Sequence, residues 1–155
     1  MSSASPREIH AVLIPVGGSR VLLPNAIVAE IASLDNIETI DNAPSWLLGR
    51  IPWRDHEVPV VSFSGLTGTG AKEDLRLARV AVLRTLDGRS KLPHIGFISQ
   101  GLPRLTMVTP DLLVRTDDGE QLASGIGAHV LVRSDQAVIP DLHWIENKIA
   151  QALDL

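Results

Sequence analysis

Apolar residues along the 155-residue chain come mostly in many short runs. Ile9 to Val16 forms one run, which meets Gly17-Gly18-Ser19 and then a second run, Val21 to Leu23; that is the signature of strand, tight turn, strand. The same pattern predicts strands at Val28 to Leu34, Leu48 to Trp53, Val58 to Phe63, Leu77 to Thr85, His94 to Gln100, Leu105 to Val108, His129 to Arg133 and Gln136 to Pro140. Asp87-Gly88 and Asp118-Gly119 supply turn residues tolerant of positive φ, and Ser134-Asp135 sits between two apolar runs as a candidate hairpin loop. Short strands at this even spacing predict closed or nearly closed barrels, a mainly β fold.

Two helices are expected against this background. One is a short turn over 43–48, where Ala43-Pro44-Ser45 places proline at a first helical position. The other runs over 142–154 after Asp141, a good N-cap, and sets Leu142, Ile145, Ile149 and Leu153 on one face at spacings of three and four. A single apolar stripe of that kind packs a helix onto its own core. Residues 1–8 read as a polar tail and 9–155 as one domain. Ser62 to Asp74, carrying Gly65, Gly68 and Gly70, reads as a flexible boundary where two groups of strands meet near 62–76.

Composition narrows the function classes. A chain of this length buries roughly 70% of its unfolded surface, enough for a real core. Hydrophobic residues make up 45% and charged residues 21%, an ordinary globular balance. The net charge is −4, and the three lysines, Lys72, Lys91 and Lys148, are scattered, so the concentrated cations that displace phosphate counterions are missing. Five aromatics, Trp46, Trp53, Trp144, Phe63 and Phe97, lie too far apart for a base-stacking platform. Nucleic acid is therefore not expected as a partner. Cysteine is absent, which removes disulfides, thiolate nucleophiles and thiolate-bound metals together. No window approaches the ~20 apolar residues of a membrane span, and MSSASPREIH has no secretion-signal pattern, so a cytoplasmic protein without membrane insertion is expected.

Candidate chemistry fails on spacing. GLTGTGAKE resembles a phosphate loop, but Ala71 stands where lysine must follow the last glycine, and Glu73 would repel phosphate. The histidines His10, His56, His94, His129 and His143 form no metal-binding pair. Asp117-Asp118-Gly119-Glu120 lacks the alternating ligands of a calcium loop and reads as a hairpin tip. No serine lies in a G-x-S-x-G turn. Asp55-His56-Glu57 could serve a small β-barrel hydrolase, yet adjacent residues in a strand point to opposite faces and do not converge. No catalytic residue, cofactor or metal is expected.

One stretch carries more information. Residues 28–63, VAEIASLDNIETIDNAPSWLLGRIPWRDHEVPVVSF, closely resemble the CheW-like domain, whose members carry a V-x-E-I strand, a polar linker, a P-x-x-x-x-G turn and an L-R-G-x-x-V-P-V-x-D-L strand. The likeness resumes at Arg79 to Leu83, at His94 to Val108, at Gly125-Ile126-Gly127 and over Ala137 to Ile149, so it covers nearly the whole chain.

The resemblance implies two SH3-like five-stranded β-barrel subdomains packed along an apolar seam, with no enzymatic activity. It also implies an adaptor that joins the regulatory domain of a CheA-type histidine kinase to the cytoplasmic tip of a chemoreceptor, in flagellar or type IV pilus motility. Carried over residue by residue, the family's partner-binding positions fall on Val28, Glu30 and Ile31 of the opening strand, Gly49 of the turn, Arg54 of the L-R-G motif, and Val58, Pro59 and Val60 of the V-P-V strand. Arg54 either orients a partner or braces the fold through an ion pair to Glu30 or Asp55. Pro59 suits an exposed strand edge because it cannot donate to a ladder. Two positions depart from the pattern: Asp55 replaces the motif glycine and Ser62 the aspartate. A CheW-like competitor that occupies an array position without passing a signal is the reading those departures leave open.

Overall fold

Strand β1 (Ile9–Val16) is buried on both faces, which is why it reads as continuous apolar sequence and not as an alternating one. Ala11 and Leu13 enter one apolar cluster, whereas Val12, Ile14 and Val16 enter another. The computed structural model describes residues 8–69, 71–86, 91–117 and 121–155. Residues 1–7 of the tail, Gly70, the Asp87-Gly88 and Asp118-Gly119 turns, and the end of the acidic run at Glu120 lie outside the described residues.

The remaining elements follow in order as β2 (Ser19–Pro24), β3 (Val28–Ser33), β4 (Leu47–Trp53), β5 (His56–Val61), α1 (Phe63–Thr67), β6 (Arg79–Arg84), β7 (His94–Ser99), β8 (Arg104–Val108), β9 (Leu113–Arg115), β10 (Ile126–Val132), β11 (Asp135–Pro140) and α2 (Leu142–Ala152). The fold is mainly β. One sheet has six strands in the order β8-β1-β2-β11-β10-β9, and the other has five in the order β3-β6-β7-β5-β4. The sixth strand of the first sheet is the three-residue β9, bracketed by Pro110-Asp111 and Thr116-Asp117 and too short to show a period of two in the sequence.

Each sheet curls so that its ends approach. In the five-stranded sheet, Glu38 and Arg50 exchange both backbone hydrogen bonds at 2.8 Å, joining the segment after β3 to β4 at the opposite end of the strand order. In the six-stranded sheet the end strands β8 and β9 are consecutive in the chain, separated by residues 109–112. Each curl encloses its own core, Val58, Val60, Val80, Val82, Ile51 and Ile98 in one, and Ala11, Leu13, Val130 and Val132 in the other. The outward faces of the same strands meet in a seam where Phe63 and Phe97 lie 5.7 Å apart.

Helix α2 closes that seam. Ile145 and Ile149 have no exposed surface, and burying each contributes about 2 kcal/mol. Asp141 Oδ1 accepts from Trp144 N at 3.1 Å, the N-cap expected from sequence. Buried Glu146 accepts from Leu86 N at 2.8 Å and ties the helix to the end of β6.

Three local expectations are corrected. No helix forms over 43–48: Leu47 N donates to Pro44 O in a single turn, and β4 starts at Leu47, which enters the seam and pairs with β5, while Ile51 beyond the bulge enters the barrel core. The hairpin loop between β10 and β11 is Arg133-Ser134, at φ 50° and 81°, one residue earlier than Ser134-Asp135. Finally, Ser62 to Asp74 does not divide the strand groups, because β3 through β7 all belong to the five-stranded sheet. The chain changes sheet at Pro24–Val28 and again between Ser99 and Arg104. Glycine content marked a loop there without saying which sheet its flanks join, and the segment begins with a helix, α1, capped by Ser62 and ended by Gly68 at φ 72°.

Candidate partner-binding surface

Strands β4 and β5 are joined by a two-residue turn, Arg54-Asp55, with φ of 44° and 64°. Both central residues are left-handed, the conformation that matches the twist of a hairpin and that favours glycine or asparagine. Asp55 therefore keeps the backbone shape that the motif glycine would adopt freely, at a steric cost.

The turn aims Arg54 outward and then braces it. Its Nη2 donates to Glu30 Oε1 at 2.9 Å, and its guanidinium lies 5.0 Å from the Trp53 ring centroid, yet its side chain stays 69% exposed. Of the two bracing partners that the sequence left open, Glu30 is the one engaged. Bracing and presentation coexist, since one edge of the guanidinium fork is used and the rest faces solvent.

Glu30 stands on β3, which among the described residues has a hydrogen-bonded strand, β6, on one side alone. Val28 and Ile31 flank it, half-buried against the seam. Arg54 and Glu30 are thus brought together, whereas Ile31, the next residue of the strand, turns with Val28 toward the seam, and β3 offers an open edge. The other four positions lie elsewhere. Val58 and Val60 are fully buried inside the barrel and have no surface to give a partner. Pro59 is also buried, in a strand flanked by β4 and β7, so it occupies no exposed edge. Gly49 is buried at a bulge in β4, where an added Cβ would come within 2.3 Å of Glu38 O. It permits the close approach that shuts the barrel.

Asp55, His56 and Glu57 do not assemble a relay. All three are exposed, and the contacts of His56 are to Trp53 and His94, at centroid distances of 6.3 and 5.1 Å. His94 packs edge-on to Trp53 at 4.8 Å. Burial first, then His56 and the Arg84 guanidinium, hold its pKa below the ordinary histidine value of 6.5. Among the described residues, no group of three or more His, Cys, Asp or Glu side chains is placed to hold a metal. No helix there is long and apolar enough to cross a membrane.

Sequence reasoning missed one buried polar cluster. Glu73, 7% exposed, accepts from Ser62 Oγ at 2.7 Å and from Ser64 Oγ at 2.9 Å. Ser62 Oγ in turn accepts from Gly65 N at 3.0 Å, so it caps α1 as an aspartate could. The departure at Ser62 was visible in the sequence, but a carboxylate eleven residues away could be paired with it only through the fold.

A two-barrel β protein with an exposed, braced arginine beside an open strand edge belongs to the class that works by contact. The model of the CheW-like domain matches residues 10–145, and the chain belongs to that family. The family comprises scaffolding adaptors of chemotaxis and signal transduction, and the chain is accordingly an adaptor and not an enzyme. The fold is similar to the crystal structure of scaffolding protein TtCheW from Thermoanaerobacter tengcongensis, with a TM-score of 0.74 at 15% identity over 94% of this chain and 92% of that one. No curated protein sequence matches the chain.

Proposed function

We propose that the chain couples a chemoreceptor to a CheA-type histidine kinase in the cytoplasm, binding the kinase's regulatory domain and the receptor's cytoplasmic tip. Membership of the CheW-like family over residues 10–145 carries this reading. The open edge of β3, with Val28, Glu30 and Ile31, and the neighbouring Arg54 are the contact region: an available strand edge beside a fixed, multi-donor cation suits an adaptor interface. Gly49, Val58, Pro59 and Val60 act by shaping the barrel beneath it. The Asp55 turn keeps its left-handed shape and Ser62 keeps its cap, so neither departure removes local geometry. That favours a coupler over a competitor that leaves the signal unpassed.

A pull-down against the kinase's regulatory domain and a receptor-tip fragment tests the reading. Binding to at least one at tens of micromolar is expected, with Arg54→Ala weakening one contact selectively. Failure to bind either fragment refutes it.

A further inference from the structure

Beside β4, α1 and residues 71–75 a cavity of about 660 Å³ opens onto the Ser62, Ser64 and Glu73 cluster. Its hydrogen bonding does not balance. Ser64 Oγ lies 3.0 Å from Ala71 O and 2.9 Å from Glu73 Oε1, but one hydroxyl proton cannot serve both. Ser62 Oγ spends its proton on Glu73 Oε2. Acceptors therefore outnumber donors around a buried carboxylate. Among the described residues, no lysine or arginine forms an ion pair with Glu73; Lys72 also lines the cavity, but its side chain is exposed and makes no such pair. A buried carboxylate without a counter-charge is costly, and each oxygen retains lone pairs for a further donor.

The walls narrow the class of ligand. Leu48 is half-buried and Leu75 is 48% exposed on the rim of the same cavity, an apolar lining suited to a chain of methylenes. A hard metal ion demands about six oxygen ligands, commonly with several carboxylates, whereas an alkylammonium or guanidinium needs a few acceptors and a greasy approach. The site is also rigid. Ala71 N donates to Gly17 O at 3.0 Å, and a Cβ on Gly17 would fall 1.7 Å from Ala71 O, so the carbonyl is pressed against the β1–β2 turn.

We propose that this cavity binds a lysine or arginine side chain presented by a protein partner. The cationic head donates to Glu73 Oε1 and Ala71 O, and its stem lies along Leu48 and Leu75. The assignment does not depend on which proteins the adaptor joins, and its test uses none of them.

Amide NMR spectra of the full chain, titrated with n-butylguanidinium chloride, read the site directly. Saturable shifts are expected at Gly65, Gly68 and Ala71, with affinity reduced about tenfold or more in Glu73→Gln, which keeps the side-chain shape and adds donors. Sodium chloride at equal ionic strength is expected to leave these amides in place. No saturable shift, equal affinity in the variant, or a response to calcium chloride in place of guanidinium would overturn the proposal. A capped alanine peptide with one central arginine must bind more tightly than n-butylguanidinium; equal or weaker binding would assign the cavity to free amines and overturn the protein source. If Glu73→Gln does not fold, the Glu73 carboxyl carbon resonance of the unaltered chain, followed at one fixed pH, decides. Guanidinium must shift it saturably, and an unmoved resonance sinks the assignment.

Discussion

Asp55 holds a left-handed backbone that costs most residues about 1–2 kcal/mol and aspartate somewhat less. Asp55→Gly is therefore expected to raise stability by about 0.5–1 kcal/mol in denaturant unfolding, after the loss of unfolded-state restriction is counted. Its neighbour behaves differently. The Arg54–Glu30 pair is exposed, so Arg54→Ala should cost no more than about 1 kcal/mol, and a larger loss of partner affinity reports contact and not unfolding. His94 carries the acid sensitivity. Its folded pKa lies below 6.5, so the unfolded chain binds the proton first as pH falls. The stability it contributes is complete above the ordinary histidine value and is lost between that value and the depressed one. Unfolding measured at about pH 8 and about pH 5.5 should show this loss, and His94→Gln should flatten it. Arg54 was legible because its motif is local. The burial of Val58 and Val60 was not, since the same valines serve equally well on a barrel's inside or its surface until the sheet's curvature is known.

Among the elements, α1 depends on the Ser62 cap and its bond to Glu73. Ser62 and Glu73 together place a capping oxygen and a carboxylate at the position where the family pattern has an aspartate. Restoring that residue by Ser62→Asp would set two carboxylates against each other in a buried site and should cost about 2 kcal/mol. Adding Glu73→Gln should recover most of the loss, so a double-mutant cycle by thermal or chemical melt should show strong coupling, and additive effects would contradict the arrangement. The strand β1 was readable to the residue, because Gly17-Gly18 ends a run that is apolar but for His10. Residues 43–48 misled because Pro44 suits a helix start and a turn alike, and the pairing that decides between them comes from β5. Helix α2 was plain because its cap and stripe lie within one short segment.

At the scale of the molecule, closure of the five-stranded barrel passes through Gly49. An added methyl would collide with the Glu38 carbonyl and demand an unfavourable φ of 152°, so Gly49→Ala should cost about 2–3 kcal/mol and lower the melting temperature seen by circular dichroism. The mainly β class and ten of the eleven strands, all but β9, were evident from spacing. Which strands share a sheet was not, because β2 and β11 pair across more than a hundred intervening residues, and local pattern carries no record of that distance. That parallel pairing, Val21 beside Val138, sets the order of events at the ribosome. The middle of the polypeptide can curl shut and the β1–β2 hairpin can form while translation continues, but the far edge of β2 must wait for β11. Until then one apolar strand edge stays open on the nascent chain, which makes the newborn protein a natural client for a holding chaperone.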